Sequence, residues 1–385
     1  MTGERVGLGT IVREWGRLGV IGFGGPPAHV ALLRELCVER RGWIDAREFE
    51  DANAATQLLP GPASTQLAIY CAQRIAGRAG AIAGGLAFIL PGLVLIIALA
   101  AITLRSSPPT WARGLEAGAG AAVLAVILRV GYDLARSSLA PHEGSRLWRS
   151  IVYLIAGAAA VVLIGAGVVL VLLVCGLAEL SFRRLERGDA PALSVGLPAF
   201  VLAATTGAAA LPDLAWTALK VGGLSYGGGF VIVPIMQSDA VDRFGWMTNG
   251  EFLNAVALGQ ITPGPVTQTV AVVGYAAAGL GGALFASAIA FSPSFALVLL
   301  GGRRFMALRQ NLDARAFLDG AGPAAVGAIF GAFVPLASGV DLAWQWALAA
   351  VAAVLLLAVR LGVAPVILAA AAAGVVAALA GAPLP

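Results

Sequence analysis

The chain has 385 residues, of which 59% are hydrophobic and 12% are charged, and its mean hydropathy is +0.88. Soluble domains carry about 25% charged residues, so this composition excludes a soluble enzyme and a disordered chain. The net charge of +4 is spread thinly along the sequence. It therefore argues against a nucleic-acid partner and indicates a protein whose partner is the lipid bilayer.

Long stretches without a charged residue predict helices that cross a membrane. A crossing helix needs about 20 apolar residues, and charge-free runs of at least that length occupy 79–104, 150–178, 190–212, 320–340 and 361–385. Shorter apolar runs are interrupted by glycine or proline, so we expect about 10 to 13 membrane segments, several of them short or broken. The sequence lacks the alternating pattern of a membrane β-barrel. The prediction is an all-α fold, a polytopic integral membrane helical bundle.

The sequence repeats itself with an offset of 203 residues, the difference between Pro60 and Pro263. Chance matching of apolar helices would align alanine and leucine, whereas this offset aligns tryptophan, glutamine and paired prolines. We therefore predict two homologous halves, 8–182 and 211–385, joined by a connecting segment at 183–210. The matched residues are Gly24-Gly25 with Gly227-Gly228, Gly42-Trp43 with Gly245-Trp246, Gln57 with Gln260, Pro60-Gly61-Pro62 with Pro263-Gly264-Pro265 and, after a slip of one residue, Gly77 with Gly279.

The arginines of the loops predict that the two halves have opposite orientations. The loop after the first glycine motif is richer in arginine than its counterpart in the second half, and a later pair of loops shows the reverse bias. Short loops rich in arginine stay on the cytoplasmic side. The swapped bias therefore indicates inverted-topology repeats, an arrangement typical of secondary transporters. The residues compared are Arg34, Arg40, Arg41 and Arg47 with Arg243, and Arg105 and Arg113 with Arg303, Arg304, Arg309 and Arg315.

Each Pro-Gly-Pro motif predicts a discontinuous helix. Proline lacks an N–H and disfavours a helical residue before it, so one helix ends before the motif and a new helix begins at the second proline. Helix N-termini carry about +0.5 charge and bind anions. The two motifs therefore predict a shared site for a small oxyanion near the membrane midplane, although a kink or a re-entrant packing turn would use the same residues. The candidate binding residues are Pro60, Gly61, Pro62, Ala63, Ser64 and Thr65 in the first half and Pro263, Gly264, Pro265, Val266, Thr267 and Gln268 in the second.

Further matched residues extend the predicted site. Lys220, the only lysine in the chain, and Arg17 at the matching position would supply a counter-charge, or else extend to the membrane surface. Gln57 and Gln260 would donate hydrogen bonds to the ligand or to a neighbouring helix. The glycine motifs would let backbone approach the ligand, or else let helices pack closely. The candidates in these motifs are Gly24 and Gly25 in the first half and Tyr226, Gly227 and Gly228 in the second.

Glu48 and Glu251 are matched acids with two interpretations. Each would cap the helix that follows it, and the alternative is a role in proton coupling. His29 and His142 are interpreted as isolated, so we expect no metal site, no cofactor and no catalytic constellation. The protein is therefore predicted to be a transporter rather than an enzyme.

The combination of motifs resembles the signature of the chromate ion transporter family. The presence of two copies in one chain is similar to the long-chain form of that family, and the resemblance covers about residues 10–380. The second half departs from the first in having Gly229 where the first has Pro26. The residues that carry the resemblance are Phe23-Gly24-Gly25-Pro26, Gly42-Trp43 and Gln57-Leu58-Leu59-Pro60-Gly61-Pro62, with their second copies Tyr226-Gly227-Gly228-Gly229, Gly245-Trp246 and Gln260-Ile261-Thr262-Pro263-Gly264-Pro265.

This resemblance implies a multi-pass protein of a bacterial inner membrane that exports chromate, is linked to the proton gradient and confers chromate resistance. Its substrate would be a small tetrahedral dianion, with sulfate as the usual competitor. A sulfate or other oxyanion importer and an anion channel are alternatives that would use the same site, and an intramembrane enzyme is a more remote one. The sequence leaves the oligomeric state open, a homodimer included.

Overall fold

The computed structural model describes residues 6–57, 59–105, 107–188, 210–225, 229–308 and 311–384. These residues form helices joined by short loops, and they contain no strand. In the first half of the chain the helices are α1 (Leu8–Ile21), α2 (Pro26–Arg34), α3 (Ala46–Thr56), α4 (Ala63–Thr103), α5 (Thr110–Leu139), α6 (Gly144–Ile164) and α7 (Val168–Glu186). In the second half they are α8 (Ala210–Leu224), α9 (Ile232–Gln237), α10 (Asn249–Ile261), α11 (Thr269–Leu308), α12 (Leu312–Ala337), α13 (Ala343–Ala353) and α14 (Val363–Leu379). Short π-helical segments, Glu35–Arg40, Ser238–Arg243 and Val354–Ala358, extend α2, α9 and α13.

Five stretches of the described chain are long and apolar enough to cross a membrane. A helix rises about 1.5 Å per residue and the hydrocarbon layer is about 30 Å thick, so about 20 residues suffice. The predicted all-α polytopic bundle is confirmed. The expected total of about 10 to 13 membrane segments stays a prediction, because the run at 190–212 lies mostly outside the described residues. The five stretches are Ala63–Thr103, Thr110–Leu139, Gly144–Ile164, Val266–Gly301 and Leu312–Ala337.

Helix α4 is bent back on itself. Gly77 has a φ of 65°, a left-handed conformation that glycine adopts without steric strain. Beyond this corner the helix runs alongside its own first part, since a methyl group placed on Gly84 would lie 2.5 Å from Cβ of Ala72. Twelve residues of straight helix would separate these positions by about 18 Å. Helix α11 has an equivalent corner at Gly279, where φ is 62°.

Helix α3 and the first part of α4 form a hairpin. Glu48, in the first turn of α3, accepts hydrogen bonds from Tyr70 (3.2 Å) and Arg74 (3.0 Å), which lie near the end of that first part. The two helices are therefore antiparallel, and the Pro60-Gly61-Pro62 break lies at their tip. The 11 residues of α3 span about 17 Å, which is roughly half the thickness of the hydrocarbon layer. The break is therefore the tip of a helical hairpin rather than an interruption of one straight helix.

Helices α1 and α2 form a second hairpin that starts on the same side. Glu14 of α1 accepts hydrogen bonds from Arg40 (2.9 Å) and Arg41 (2.6 Å), which follow α2. The indole of Trp15 donates to the carbonyl of Ala68 (2.8 Å), which fixes this hairpin to the first part of α4. The first glycine motif therefore forms a tip beside that of the first Pro-Gly-Pro break.

The hairpin that begins with α10 starts at the other end of the bundle. Thr248 and Glu251, at the start of α10, line a cavity of about 450 Å³ together with Thr103 at the end of α4. The second part of α4 runs from the Gly77 corner to Thr103. The start of α3 lies beside that corner, so Thr103 is at the opposite end. Helices α3 and α10 therefore begin at opposite ends of the bundle.

The long helices of each half pack against those of the other half. Helix α12 packs against α6 and α7, and α5 packs against α13 and α14. Small residues bring the backbones together, since a methyl group on Gly331 would lie 2.6 Å from the carbonyl oxygen of Ala158, and one on Gly114 would lie 2.6 Å from that of Gly374. The core is therefore built jointly by both halves.

The predicted connecting segment begins inside a helix. Helix α7 continues to Glu186, beyond the predicted boundary at residue 182, and residues 189–209 lie outside the described part of the chain. Arg183 donates to the carboxylate of Asp319 on α12 (3.0 Å). The basic cluster that suggested a linker therefore ties the end of α7 to the second half.

We expect Gly327→Val to separate α12 from α6. A Cβ atom at Gly327 would meet the backbone of Leu154 and Ala158, and overpacking of this kind costs about 1–3 kcal/mol. The thermal midpoint of the purified protein, measured by size-exclusion chromatography after heating, should fall. Gly281→Val is the matched control, because the Cβ position of Gly281 has no described heavy atom within 4 Å. An equal loss in both variants would contradict the packing argument.

Candidate anion-binding site

The predicted helix breaks are present at both Pro-Gly-Pro motifs. At the first motif, α3 ends before the break and α4 begins after it. At the second motif, α10 ends before the break, and a 3₁₀ turn, Val266–Gln268, leads into α11 after it. Gly61 and Gly264 have φ of 119° and 106°, where a side chain would strain the backbone. Pro62 and Pro265 occupy the N-cap positions, and neither provides a side-chain cap. The first turn after each break therefore starts with N–H groups that have no intrahelical acceptor.

The tip of the second break inserts into the first half. The N–H of Gly264 donates to the carbonyl of Gly22, at the end of α1 (2.9 Å). Gly92 of α4 leaves room for this tip, since a methyl group there would lie 2.6 Å from Oε1 of Gln268. Gln268 in turn donates to the carbonyl of Ile89 (2.9 Å). The second break is therefore held by backbone groups of the first half.

The tip of the first break inserts into the second half in the same way. A methyl group on Gly61 would lie 3.2 Å from Oγ of Ser294 on α11 and 3.4 Å from the carbonyl oxygen of Gly222 on α8. Within the tip itself, the Gln66 amide donates to the carbonyl of Pro60 (2.7 Å). Each half thus holds a hairpin tip of the other.

The two glycine motifs converge on the start of the second broken helix. Methyl groups placed on Gly25 and Gly229 would lie 3.9 Å and 3.4 Å from the side chain of Val266. Helix α2 begins with Pro26 and Pro27, and because proline has no N–H, this helix start offers fewer donors than the two broken helices. The predicted candidates that lie outside the described residues are Tyr226, Gly227 and Gly228.

His29, which was expected to stand outside any metal or catalytic cluster, connects two of the tips. Its Nε2 lies 2.9 Å from the carbonyl oxygen of Gly22, and its Nδ1 lies 3.1 Å from Oγ of Ser64 in the first turn of α4. The side chain is buried and its ring packs edge-on against Phe88. No sequence spacing could have indicated this link, because His29 and Ser64 are 35 residues apart on different helices.

Several polar side chains at the tips are buried without a partner. In the described part of the chain these include Thr65 Oγ1, Gln66 Oε1, Gln260 Nε2, Gln268 Oε1 and Ser294 Oγ. A buried group without a hydrogen bond costs about 1–3 kcal/mol, and native proteins contain few such groups. The tips therefore hold more hydrogen-bonding capacity than the protein itself uses.

A cavity of about 690 Å³ lies beside the tips. It brings together four predicted site residues, Gly24, Gly25, Gln57 and Gln260. The other walls come from α5 and from the turn between α13 and α14. Since α3 and the later part of α5 line it, the cavity lies on the side of the tips from which the hairpins of the first half enter.

Two arginines that the sequence analysis did not single out line this cavity. Arg129 donates to Asp133 (2.6 Å) and to the carbonyl of Leu356. Arg360 forms no ion pair with any residue that the structure describes. Both arginines interrupt apolar sequence, such as 117–128 before Arg129. A charge in such a position is a sequence signal of function.

The predicted counter-charges lie elsewhere. Lys220 forms an ion pair with the buried carboxylate of Asp239, which also accepts a hydrogen bond from Thr217 (2.9 Å). Arg17 is exposed on α1. Neither residue lines the cavity beside the tips, and the charge of Lys220 is compensated by its partner.

The two matched acids have different environments. Glu251 forms a capping box, in which its carboxylate accepts from the N–H of Thr248 (2.7 Å) and its own N–H donates to Oγ1 of Thr248 (3.2 Å). Helix α3 is capped by Asp45 instead. The hydrogen bond from Arg74, opposed by partial burial, holds the pKa of Glu48 below its ordinary value. The capping role is confirmed for Glu251 and wrong for Glu48, and proton coupling stays a prediction for both.

Known proteins are similar in sequence to this chain over most of its length. The profile of a family described as Chromate transporter matches residues 9–180 and 212–376. A chromate transport protein of Cupriavidus metallidurans is 33% identical over 338 residues, which cover 86% of this chain and 82% of the relative. A probable chromate transport protein of Synechococcus elongatus is 32% identical, with 83% and 82% covered. A chromate transport protein of Pseudomonas aeruginosa is 31% identical, with 83% and 79% covered. No solved structure matches the chain.

These matches show both the family and the general class of the protein. One family profile matches two separate segments of the chain, and the relatives are named as transport proteins, not enzymes. The described residues include five helices long and apolar enough to cross a membrane. The chain therefore belongs to the chromate transporter family and is a multi-pass membrane transporter rather than an enzyme.

Proposed function

We propose that this protein is a secondary transporter that exports chromate across a bacterial inner membrane, is linked to the proton gradient and confers chromate resistance. Membership of the family and the names of the relatives support chromate as the substrate. The observation that carries the proposal is the convergence of the broken helices and glycine motifs, joined by the bond from Gly264 to Gly22. This arrangement gathers helix N-termini at one place, which we propose lies near the membrane midplane.

The proposed substrate carries two negative charges, which the protein must compensate away from water. Even one charge at the bilayer centre costs about 2.5–3.5 kcal/mol on insertion scales. Two helix N-termini of about +0.5 each and one arginine together provide about +2. We assign this arginine as Arg360, in place of Lys220 and Arg17, because Arg360 lines the cavity. The hydroxyls of Thr65 and Thr267 would donate to the oxygens of a tetrahedral anion.

We propose that the arginine-rich end of the bundle faces the cytoplasm, as the positive-inside rule requires. The two halves would then be inverted repeats, with the hairpins of the first half entering from the cytoplasm and those of the second from outside. The cavity beside the tips would receive chromate from the cytoplasm, in keeping with export. The described arginines at this end include Arg40, Arg41, Arg74, Arg78, Arg146, Arg183 and Arg187, and those at the other end include Arg105, Arg113 and Arg243.

The tips would act as the barrier between the two sides. The cavity at the opposite end is lined by Glu116, Glu251 and Asn254 among others, and it shares no described lining residue with the cavity beside the tips. Rocking of one half against the other would close one cavity and open the other, as in other transporters built from inverted repeats. Gly120 lies beside Asn254 (2.9 Å from a Cβ position to Oδ1) and marks a contact that this motion would change.

Sulfate is the second candidate substrate. The groups assigned to the anion are N–H, hydroxyl and guanidinium groups, which recognise negative charge and tetrahedral shape. None of them makes a contact that would distinguish chromium from sulfur. A sulfate importer or an anion channel would therefore use the same site with a different energy source.

Everted membrane vesicles from cells that produce the protein test both direction and coupling. With the cytoplasmic face outward, we expect saturable uptake of radiolabelled chromate that depends on a respiratory proton gradient and is inhibited by sulfate. A protonophore should abolish the uptake, and vesicles without the protein are the control. Non-saturable uptake that ignores the protonophore would indicate a channel. Accumulation in right-side-out vesicles alone would indicate an importer.

We expect Arg360→Gln to raise the chromate concentration for half-maximal uptake by about tenfold, because a hydrogen bond to a charged group contributes about 1.5–3 kcal/mol. Uptake at several chromate concentrations in everted vesicles measures this shift. Arg78→Gln makes the same change of charge at an exposed position beside the Gly77 corner. If both variants shifted the concentration equally, Arg360 would have no special role.

We expect Thr65→Val to make the protein more stable and less active. The Thr65 hydroxyl is buried and has no partner among the described residues, so its removal relieves a cost of about 1–3 kcal/mol. The thermal midpoint should rise while chromate uptake falls about tenfold, the equivalent of about 1.4 kcal/mol. Ser287→Ala is the control, because Ser287 donates to the carbonyl of Ala283 within α11 (2.7 Å). Full transport by Thr65→Val would remove Thr65 from the site.

A further inference from the structure

The hydrogen bonds of His29 determine which ring nitrogen carries the proton. The carbonyl of Gly22 only accepts hydrogen bonds, so Nε2, 2.9 Å away, is the donor. In the neutral ring Nδ1 is then an acceptor, and the hydroxyl of Ser64, 3.1 Å away, donates to it. The Ser64 oxygen therefore presents only lone pairs to any other group at the start of α4.

A proton added to His29 reverses its bond with Ser64. When Nδ1 is protonated it becomes a donor, and the Ser64 oxygen becomes its acceptor. The hydroxyl proton of Ser64 is then released to bond another group, and a positive charge stands about 3.1 Å from Oγ. An anion at the start of α4 would gain a donor and a favourable charge in one step, where it had faced a lone pair.

We propose that His29 and Ser64 form a proton-controlled switch for oxyanion binding, in which the anion at the start of α4 is bound tightly when His29 is protonated. This inference rests on the proposed function, since the anion is the transported one, and it adds the residue at which proton and anion are linked. By thermodynamic linkage the bound anion favours the proton by the same factor as the proton favours the anion.

The groups that contact His29 are neutral, so a bound anion would be the charge that favours its protonation. Helix α1 contributes the carbonyl of Gly22, and α4 contributes the hydroxyl of Ser64 and the ring of Phe88. No charged side chain of the described residues bonds to His29. The charged residues on the elements packed against it are Arg13, Glu14 and Arg17 on α1, Glu35, Glu39 and Arg40 after α2, Arg34 on α2 itself, and Arg74 and Arg78 on α4. Of these, Glu14 is held by Arg40, and Arg74 by Glu48.

The second half has an equivalent hydrogen bond without a titratable group. The hydroxyls of Ser225 and Thr267 lie 3.3 Å apart beside the second broken helix. The position that matches His29 at the offset of the repeat is Ile232. The switch therefore belongs to the first half alone.

Chromate binding to the purified full-length protein in lipid nanodiscs tests the switch. We would measure the dissociation constant by calorimetry at about pH 6 and about pH 8, the range in which histidine titrates, for the wild type, His29→Gln and Ser64→Ala. Chromate also gains a proton in this range, but it does so equally for every variant. His142→Gln is the matched control, because His142 bonds Ser150 (3.0 Å) in a similar histidine–serine pair outside the tips.

We expect the wild type and His142→Gln to bind chromate more tightly at the lower pH. The ratio of the dissociation constant at the higher pH to that at the lower pH should shrink about tenfold in His29→Gln, which is equivalent to one pKa unit of coupling. Ser64→Ala should weaken binding mainly at the lower pH. It also provides the test if His29→Gln fails to fold. Calorimetry in buffers of different ionisation enthalpy should show less proton uptake per chromate in His29→Gln. An unchanged ratio in His29→Gln and Ser64→Ala would overturn the switch alone, whereas a wild type that binds no chromate would overturn the proposed function as well.

Discussion

Backbone groups that leave a helix inside a membrane must find hydrogen-bond partners in the protein, because hydrocarbon offers none. In this chain the backbone groups freed at one helix break form hydrogen bonds with those freed at another. The carbonyl of Gly22, freed where α1 ends, accepts from Gly264 of the second Pro-Gly-Pro break and from the ring of His29. The broken helices are tolerated because their tips meet, and the same contacts bring the starts of the two broken helices near each other.

Because each half holds a hairpin tip of the other, neither half is complete alone. Gly92 and Ser294, each one residue after a proline inside a long helix, receive the tips of the opposite half. Helices α5 and α12 likewise pack against the last helices of the opposite half. A half on its own would expose backbone that the other half covers. A movement of one half relative to the other would also move the N–H groups of the broken helices, so the barrier and the proposed site are one structure.

Local backbone chemistry made part of this arrangement predictable. Proline ends a helix wherever it stands in such a motif, so both breaks could be placed from the sequence to within a few residues. The course of the chain after the break could not be predicted, because it depends on the corner at Gly77 and on the contact of Glu48 with Arg74. Lys220 could be predicted either as a counter-charge or as a side chain at the membrane surface, and its ion pair with Asp239 could not be predicted, because Asp239 lies on another helix. Electrostatic roles are therefore poorly predicted from a residue type alone.

Composition, the missing N–H of proline and motifs that lie close together in the chain were enough to predict the membrane class, the helical fold, the positions of the helix breaks and the family. The packed helices were needed to show that the breaks are hairpin tips, that His29 joins Gly22 to Ser64, and that Arg360 lines the cavity. Such contacts join residues far apart in the chain. They exist only once the helices have packed, and packing decides which partner each polar group meets.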